Sequence, residues 1–198
     1  MSKIETGIAV DSTIGEMNRS MTLPENYPAQ YERLLTLNNG REVYVRPILP
    51  ADEGLIVDLF ERLSSQSVYL RFLRDLPALP QDMLYQFTHV NYSSDLALVG
   101  LVKEDDRDAL IAVARYASTP PGDLTDLAVA VRDDWQRLGL GKALLRMLVE
   151  IGKEHGIHHY SGMIDPKNKT IMKILTDLGY RVTYTLRDGF FEVDILTQ

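Results

Sequence analysis

A chain of 198 residues, 45% hydrophobic and 25% charged, has the size and composition of one globular domain, with or without an extension, and is long enough to bury a sizeable core. Its 28 acidic and 21 basic side chains leave a net charge of −7, which argues against general nucleic-acid binding; the lack of cysteine excludes disulfides, a thiol nucleophile and thiolate metal sites. No apolar run approaches the ~20 residues that span a bilayer, and the N-terminal "MSKIETGIAVDSTIGEM" lacks a signal peptide's apolar core, so a cytoplasmic protein is expected.

Residues 1–30 show mixed polarity and no sustained period, and read as an extension before a domain over 31–198. In "YERLLTLNNGREVYVRPI" two strand-like runs flank Asn38-Asn39-Gly40, residue types that accept the positive φ of a tight turn. Pro47 and Pro50 end the second run. A helix follows from Pro50-Ala51-Asp52 to about Leu63, with Asp52 suited to its dipole and Ile56, Leu59, Phe60 and Leu63 on one face. "SSQSVYLRFL" predicts a second helix capped by Ser64 or Ser65, and a third starts after Pro80.

The period then changes from helical to alternating. "DLALVGLVKE", "ALIAVARYAS" and "LTDLAVAVR" predict three strands, the last two separated by a "TPPGD" loop. Next comes "WQRLGLGKALL", opening a helix to about His155 with Leu144, Leu145, Leu148 and Ile151 inward and Gly156 as its cap. "IHHYSGMI" predicts a strand, "NKTIMKILTDLG" a helix stopped by Gly179, and "YRVTYTL" with "FFEVDILTQ" a closing hairpin.

A strand, a glycine turn and a helix together make an anion site, because the free amides of the first helical turn and the helix dipole both favour negative charge. A dinucleotide loop needs a third small residue, and position 144 is Leu. A nucleotide P-loop needs Gly where Gln136 stands and a hydroxyl where Ala143 stands. Gln136-Arg137-Leu138-Gly139-Leu140-Gly141 instead resembles the Q/R-x-x-G-x-G/A loop of the GCN5-related N-acetyltransferase (GNAT) family.

The resemblance runs from about Leu34 to the C-terminus. "VYVRPILPADEGLIVDLFERLSSQSVYLRF" resembles the entry segment of the bacterial protein-lysine acetyltransferase (Pat-like) branch, "DLAVAVRDDWQRLGLGKALL" its fourth strand, loop and third helix, and "NKTIMKILTDLGY" its later N-x-x-M-x-x-L…G-F motif. It implies an α/β (α+β) fold, a mixed, curved sheet of about seven strands with helices on both faces. It implies acetyl-CoA as co-substrate and no metal. Backbone amides of Gln136, Arg137, Leu138, Gly139, Leu140, Gly141 and Lys142 would hold the pyrophosphate. Val129, Val131 and Asn168 would contact the pantetheine arm, which adds like a strand at a sheet edge.

Acetyl transfer to an amine requires the amine to lose its proton, an oxyanion to be stabilised and a thiolate to leave. By resemblance Asp126 takes the general-base position, where the branch has Glu, with Asp123 in reserve, and the Val129 amide faces the oxyanion. Leu175 replaces the Tyr that protonates the thiolate in many relatives; Tyr180 and Tyr184 read better as packing residues. His155, His158 and His159 read as surface or packing residues and Trp135 as a packing anchor; Arg71 could steer a carboxylate or tie helix to sheet by snorkelling or pairing, and the structural role is the expectation. The implied acceptor is a protein lysine. A small-molecule amine and a catalytically weak acyl-CoA sensor are the alternatives. No nucleic-acid or membrane partner is expected, and the chain would be a monomer or homodimer.

Overall fold

One mixed sheet organises the chain, with strand order β1-β2-β3-β4-β5-β6-β8-β7. The strands are β1 (Arg33–Thr36), β2 (Glu42–Pro47), β3 (Asp95–Glu104), β4 (Arg107–Ser118), β5 (Thr125–Val131), β6 (His159–Ile164), β7 (Arg181–Arg187) and β8 (Phe190–Leu196). The computed structural model describes residues 23–118 and 124–197; Asp123 and the "TPPGD" loop lie outside them. The sheet has eight strands, against about seven expected, since the short β1 pairs with β2 as an edge strand.

The helices are α1 (Glu53–Glu61), α2 (Ser65–Phe72), α3 (Gln81–Thr88), α4 (Leu140–Glu154) and α5 (Lys169–Leu178). Two apolar cores lie on opposite faces of the sheet. On one, Leu144 and Leu148 of α4 and Leu175 of α5 join Val43, Val45, Leu96, Leu98 and Ile111. On the other, Ile56 and Leu59 of α1 and Leu84 of α3 pack on Tyr44, Ala97, Val99 and Leu110. Strands β2 and β3 are buried from both sides, which is why "DLALVGLV" reads as an almost unbroken apolar run.

Local chemistry ends several elements where the sequence says it should, while the first helix is shorter than expected, Glu53–Glu61, after a 3-10 turn over Pro50–Asp52. Gly40 takes φ +82° in the β1–β2 turn. Ser64 accepts a hydrogen bond from the Ser67 amide as the cap of α2. Gly156 takes φ +77° after α4, and the Ile157 amide reaches back to the Gly152 carbonyl at 2.8 Å. Gly179 stops α5 at φ +80°.

Asp52 does more than face a helix dipole. It sits in a 3-10 turn ahead of α1, fully buried, and accepts two hydrogen bonds from Arg46, at 2.8 and 2.6 Å, and one from the Leu49 amide at 2.7 Å. Arg46 is almost as buried. A buried ion pair is held by its geometry, and removing one partner strands the other's charge. Asp52→Ala is therefore expected to lose about 3–5 kcal/mol, measured by urea unfolding, whereas Arg46→Met with Asp52→Leu should lose less than Asp52→Ala alone.

Candidate active site

The site forms where β5 and β6 part. They are the sheet's one parallel pair among the described residues, and only Thr125↔Tyr160 and Asp126↔Ser161 are in register. From Leu127 to Val131 β5 continues against β4 alone. This leaves about 13 Å of open strand edge. The Arg132 amide donates to the Ile111 carbonyl on the β4 side. Backbone groups alternate between neighbours along a strand, so Val131 and Val129 turn theirs toward the open edge. Side chains alternate too: Ala128 and Ala130 face α1 and α2, which puts Asp126 on that same face, at the apex of the fork.

At the far end of the open edge lies the glycine loop. Gly139 caps α4 with φ +91°, and Arg137 also takes a positive φ, of 60°. Left-handed residues alternating with ordinary ones turn successive amides inward as an anion-binding concavity. The Gln136 amide donates to the Asp133 carbonyl, while among the described residues the amides of 137–142 donate to no group. The unspent donors thus run from Arg137 to Lys142, one fewer than the sequence implied. The Lys142 side chain turns away to Asp177 at 3.5 Å.

The loop is braced from two sides. Behind it, the Asn38 amide donates to the Leu138 carbonyl at 3.2 Å, so the β1–β2 turn supports its bend. In front, Asp133 accepts from the Ser64 amide, the Ser64 hydroxyl and the Ser67 hydroxyl at 2.7–2.9 Å. Burial works to raise the Asp133 pKa, but these hydrogen bonds prevail and hold it below its usual value. The Gln136 side chain donates to both the Ser67 hydroxyl, at 3.1 Å, and the Val131 carbonyl, at 3.0 Å. Arg132, buried at the end of β5, is gripped by Glu104 and Asp134. Helix α2 and the loop therefore form one hydrogen-bonded unit.

The remaining predicted residues divide. Asn168 caps α5 by accepting from the Ile171 amide at 3.2 Å, which leaves its NH₂ group for another partner. Trp135 is buried in the core with the Arg41 guanidinium 3.2 Å above its ring, a packing anchor. Tyr180 donates to Glu150 at 2.7 Å, and Tyr184 packs edge-on against Phe191. His159 lies 3.0 Å from Asp194 on β8, and His155 is 3.3 Å from the Tyr116 hydroxyl.

Arg71 departs from the expected tie between helix and sheet. Among the described residues it has no ion-pair or hydrogen-bond partner. It stacks near Phe72 and Phe87, with centroids at 4.9 and 5.8 Å, and lines an apolar cavity of about 40 Å³ with Arg115 of β4. Burial pushes the Arg71 pKa down to about 10; the Asp126 charge opposes that shift and the Arg115 charge adds to it.

The two loop glycines differ in what they require. Gly139 needs its positive φ, and a Cβ there would come within 3.2 Å of the Asn38 side chain. Gly141 lies inside α4, where a Cβ would meet Val131 at an ordinary 3.5 Å. Gly139→Ala should destabilise by about 1–2 kcal/mol. Gly141→Ala should be neutral or stabilise by up to about 1 kcal/mol, as Ala replaces Gly within a helix. Urea unfolding of the two variants reads this opposite sign.

Comparison with known proteins agrees with the geometry. The family model described as acetyltransferase (GNAT) family matches residues 60–180. The chain is 28% identical over 145 residues to acetyltransferase PA5475 of Pseudomonas aeruginosa, covering 73% of this chain and 78% of that protein. It is 25% identical over 144 residues to acetyltransferase Pat of Mycolicibacterium smegmatis, covering 72% of this chain and 42% of that protein. The GNAT domain of S. lividans PAT superposes with a TM-score of 0.77 at 28% identity, over 86% of this chain and 99% of that one. The yncA protein of Salmonella typhimurium, a putative acetyltransferase solved with its cofactor acetyl-CoA, superposes with a TM-score of 0.61 at 18% identity, over 79% of this chain and 94% of that one. The splayed strands, the loop of unspent amides and these matches together place the chain in the acetyltransferase (GNAT) family, in its Pat-like branch, as an acyltransferase.

Proposed function

We propose that the protein transfers an acetyl group from acetyl-CoA to an amine bound beside Asp126. The observation that carries this is the fork: a donor loop at one end, an open strand edge along its length and a carboxylate at its apex. The amides of residues 137–142 suit a pyrophosphate. The Val131 and Val129 backbone groups suit the amides of a pantetheine arm, paired like an added strand. The Val131 carbonyl already accepts from the Gln136 side chain and has a second lone pair for that pairing. The presence of acetyl-CoA in the yncA structure supports the same choice of donor.

An arm laid along β5 from the loop brings its thioester to the apex. There Asp126, solvent-exposed, takes a proton from the incoming ammonium group through a water, since an amine near pKa 10 is mostly protonated at neutral pH. The amine nitrogen bonds to the acetyl carbon, the Val129 amide faces the developing oxyanion, and the carbon–sulfur bond breaks. After attack the nitrogen carries a positive charge and gives up its second proton through water, and the CoA sulfur, leaving near pKa 8.5 like a free thiol, takes up that proton. The chain's lack of cysteine and this choice of donor fit a cytoplasmic enzyme with its catalytic domain over 31–198.

A protein lysine is a second reading of the acceptor. Asp194 and Glu192 lie on the sheet face that carries Asp126, where an ammonium group would be welcome: Asp126 pairs with Ser161, Ser161 with Asp194, and Glu192 follows two residues before Asp194. Thiol release from acetyl-CoA with a panel of amines tests the function. Asp126→Ala should lower kcat/KM by on the order of 10²-fold, and Asp126→Glu should retain part of the activity. Equal rates for wild type and Asp126→Ala would remove Asp126 as the base. Tight acetyl-CoA binding without turnover of any amine would make the protein a sensor.

A further inference from the structure

We infer that the acceptor is a small amine that also carries a carboxylate, with the carboxylate held by Arg71 and Arg115 and its apolar part in the cavity beneath α1–α3. This rests on the reading that Asp126 marks where the amine is acetylated.

The domain's other inward-facing arginines are satisfied. Arg46 is paired with Asp52, and Arg132 with Glu104 and Asp134. Arg71 and Arg115 are not: among the described residues neither has an ion-pair or hydrogen-bond partner, and the Arg115 Nε is buried without an acceptor. A partly buried charge without a partner is costly, so two of them lining one cavity point to a ligand that supplies the missing acceptors.

Their aromatic contacts help fix how they would bind. Arg71 sits near Phe72 and Phe87, and the Arg115 guanidinium lies 4.8 Å from the Phe87 centroid. Guanidinium groups stacked on rings keep their donor edges free, and those edges match a carboxylate's two oxygens.

The unmet donors select the acceptor. Asp126 acts on both guanidinium groups and Asp95 on Arg115, but neither carboxylate lies within 4.0 Å of them. The charges balance, yet the guanidinium donors still lack an acceptor in contact. A lysine ammonium group offers them none. An amino acid brings its own acceptor: its amine reaches Asp126 while its carboxylate reaches the arginines.

The cavity beyond sets size and polarity. Its walls include Ile56, Leu59, Phe72, Phe87 and Val113, and its volume is about 40 Å³. That accepts a short apolar side chain.

The test compares acids with their amides on the full chain. Acetyl-CoA-dependent thiol release is measured with L-valine and L-leucine, with their carboxamides, and with a lysine-containing peptide. The expected result is kcat/KM at least tenfold higher for each acid than for its amide, with the peptide poorest. Arg71→Gln and Arg115→Gln should each pull the acid-to-amide ratio toward one, while Arg71→Lys keeps part of it. The acid–amide comparison uses the wild type and so does not depend on variants folding. Binding of isovalerate against isovaleramide, followed by ligand-observed NMR with CoA present, gives a readout without turnover; isovalerate should bind and isovaleramide should not. Amides used as well as acids, a preferred lysine peptide, or equal binding of the two probes would overturn the carboxylate assignment and leave acetyl transfer standing. Failure of the protein to bind acetyl-CoA would instead overturn the acetyl-transfer reading on which it rests.

Discussion

The site depends on strand pairing that stops early. A parallel pair that ran the length of β5 and β6 would use every backbone donor and acceptor on their facing edges. Here it ends after Asp126 and Ser161, and the rest of the β5 edge stays open. The half-buried open edge offers unpaired donors and acceptors that suit an extended ligand with amides of its own. The loop at the end of β5 then adds an anion site in line with that edge. On the proposed function, donor recognition comes almost wholly from backbone, with side chains bracing it.

The sheet separates two chemistries. The face under α4 and α5 is a large apolar core that holds the loop and the helix start in place. The face under α1–α3 carries Asp126, Arg71 and Arg115 around a smaller apolar cavity. Asp133 and Gln136 connect them, because both bond to the start of α2 while belonging to the donor loop. Helix α2 carries Arg71, so the glycine loop and the arginine-lined cavity are linked by a few short hydrogen bonds.

Much of this was legible in the sequence because backbone demands leave strong marks. A residue at φ +91° wants glycine, and a helix start with free amides wants no competing side chain; Gly139 and Gly141 made the loop readable. The strands, the caps at Ser64 and Gly179 and the inward face of α4 follow from periodicity and cap chemistry. Other features depend on contacts between distant segments. The clasp from Asp133 to Ser64 joins residues 69 positions apart. Arg71 sits among apolar neighbours in the chain, which suggests snorkelling; only the fold brings Arg115 and Phe87 to it. The burial of Asp52 was hidden for the same reason, since a polar residue before a helix looks like a cap until its arginine is found.

The central claim is that the open β5 edge and the loop amides take up the CoA arm. Amide hydrogen exchange, with and without saturating acetyl-CoA, tests it most directly. Protection should rise at Val129, Val131 and residues 137–142, and stay unchanged over Leu98–Leu101 of β3, which is paired on both sides. Binding of acetyl-CoA with no gain in protection along β5 and the loop would contradict the account.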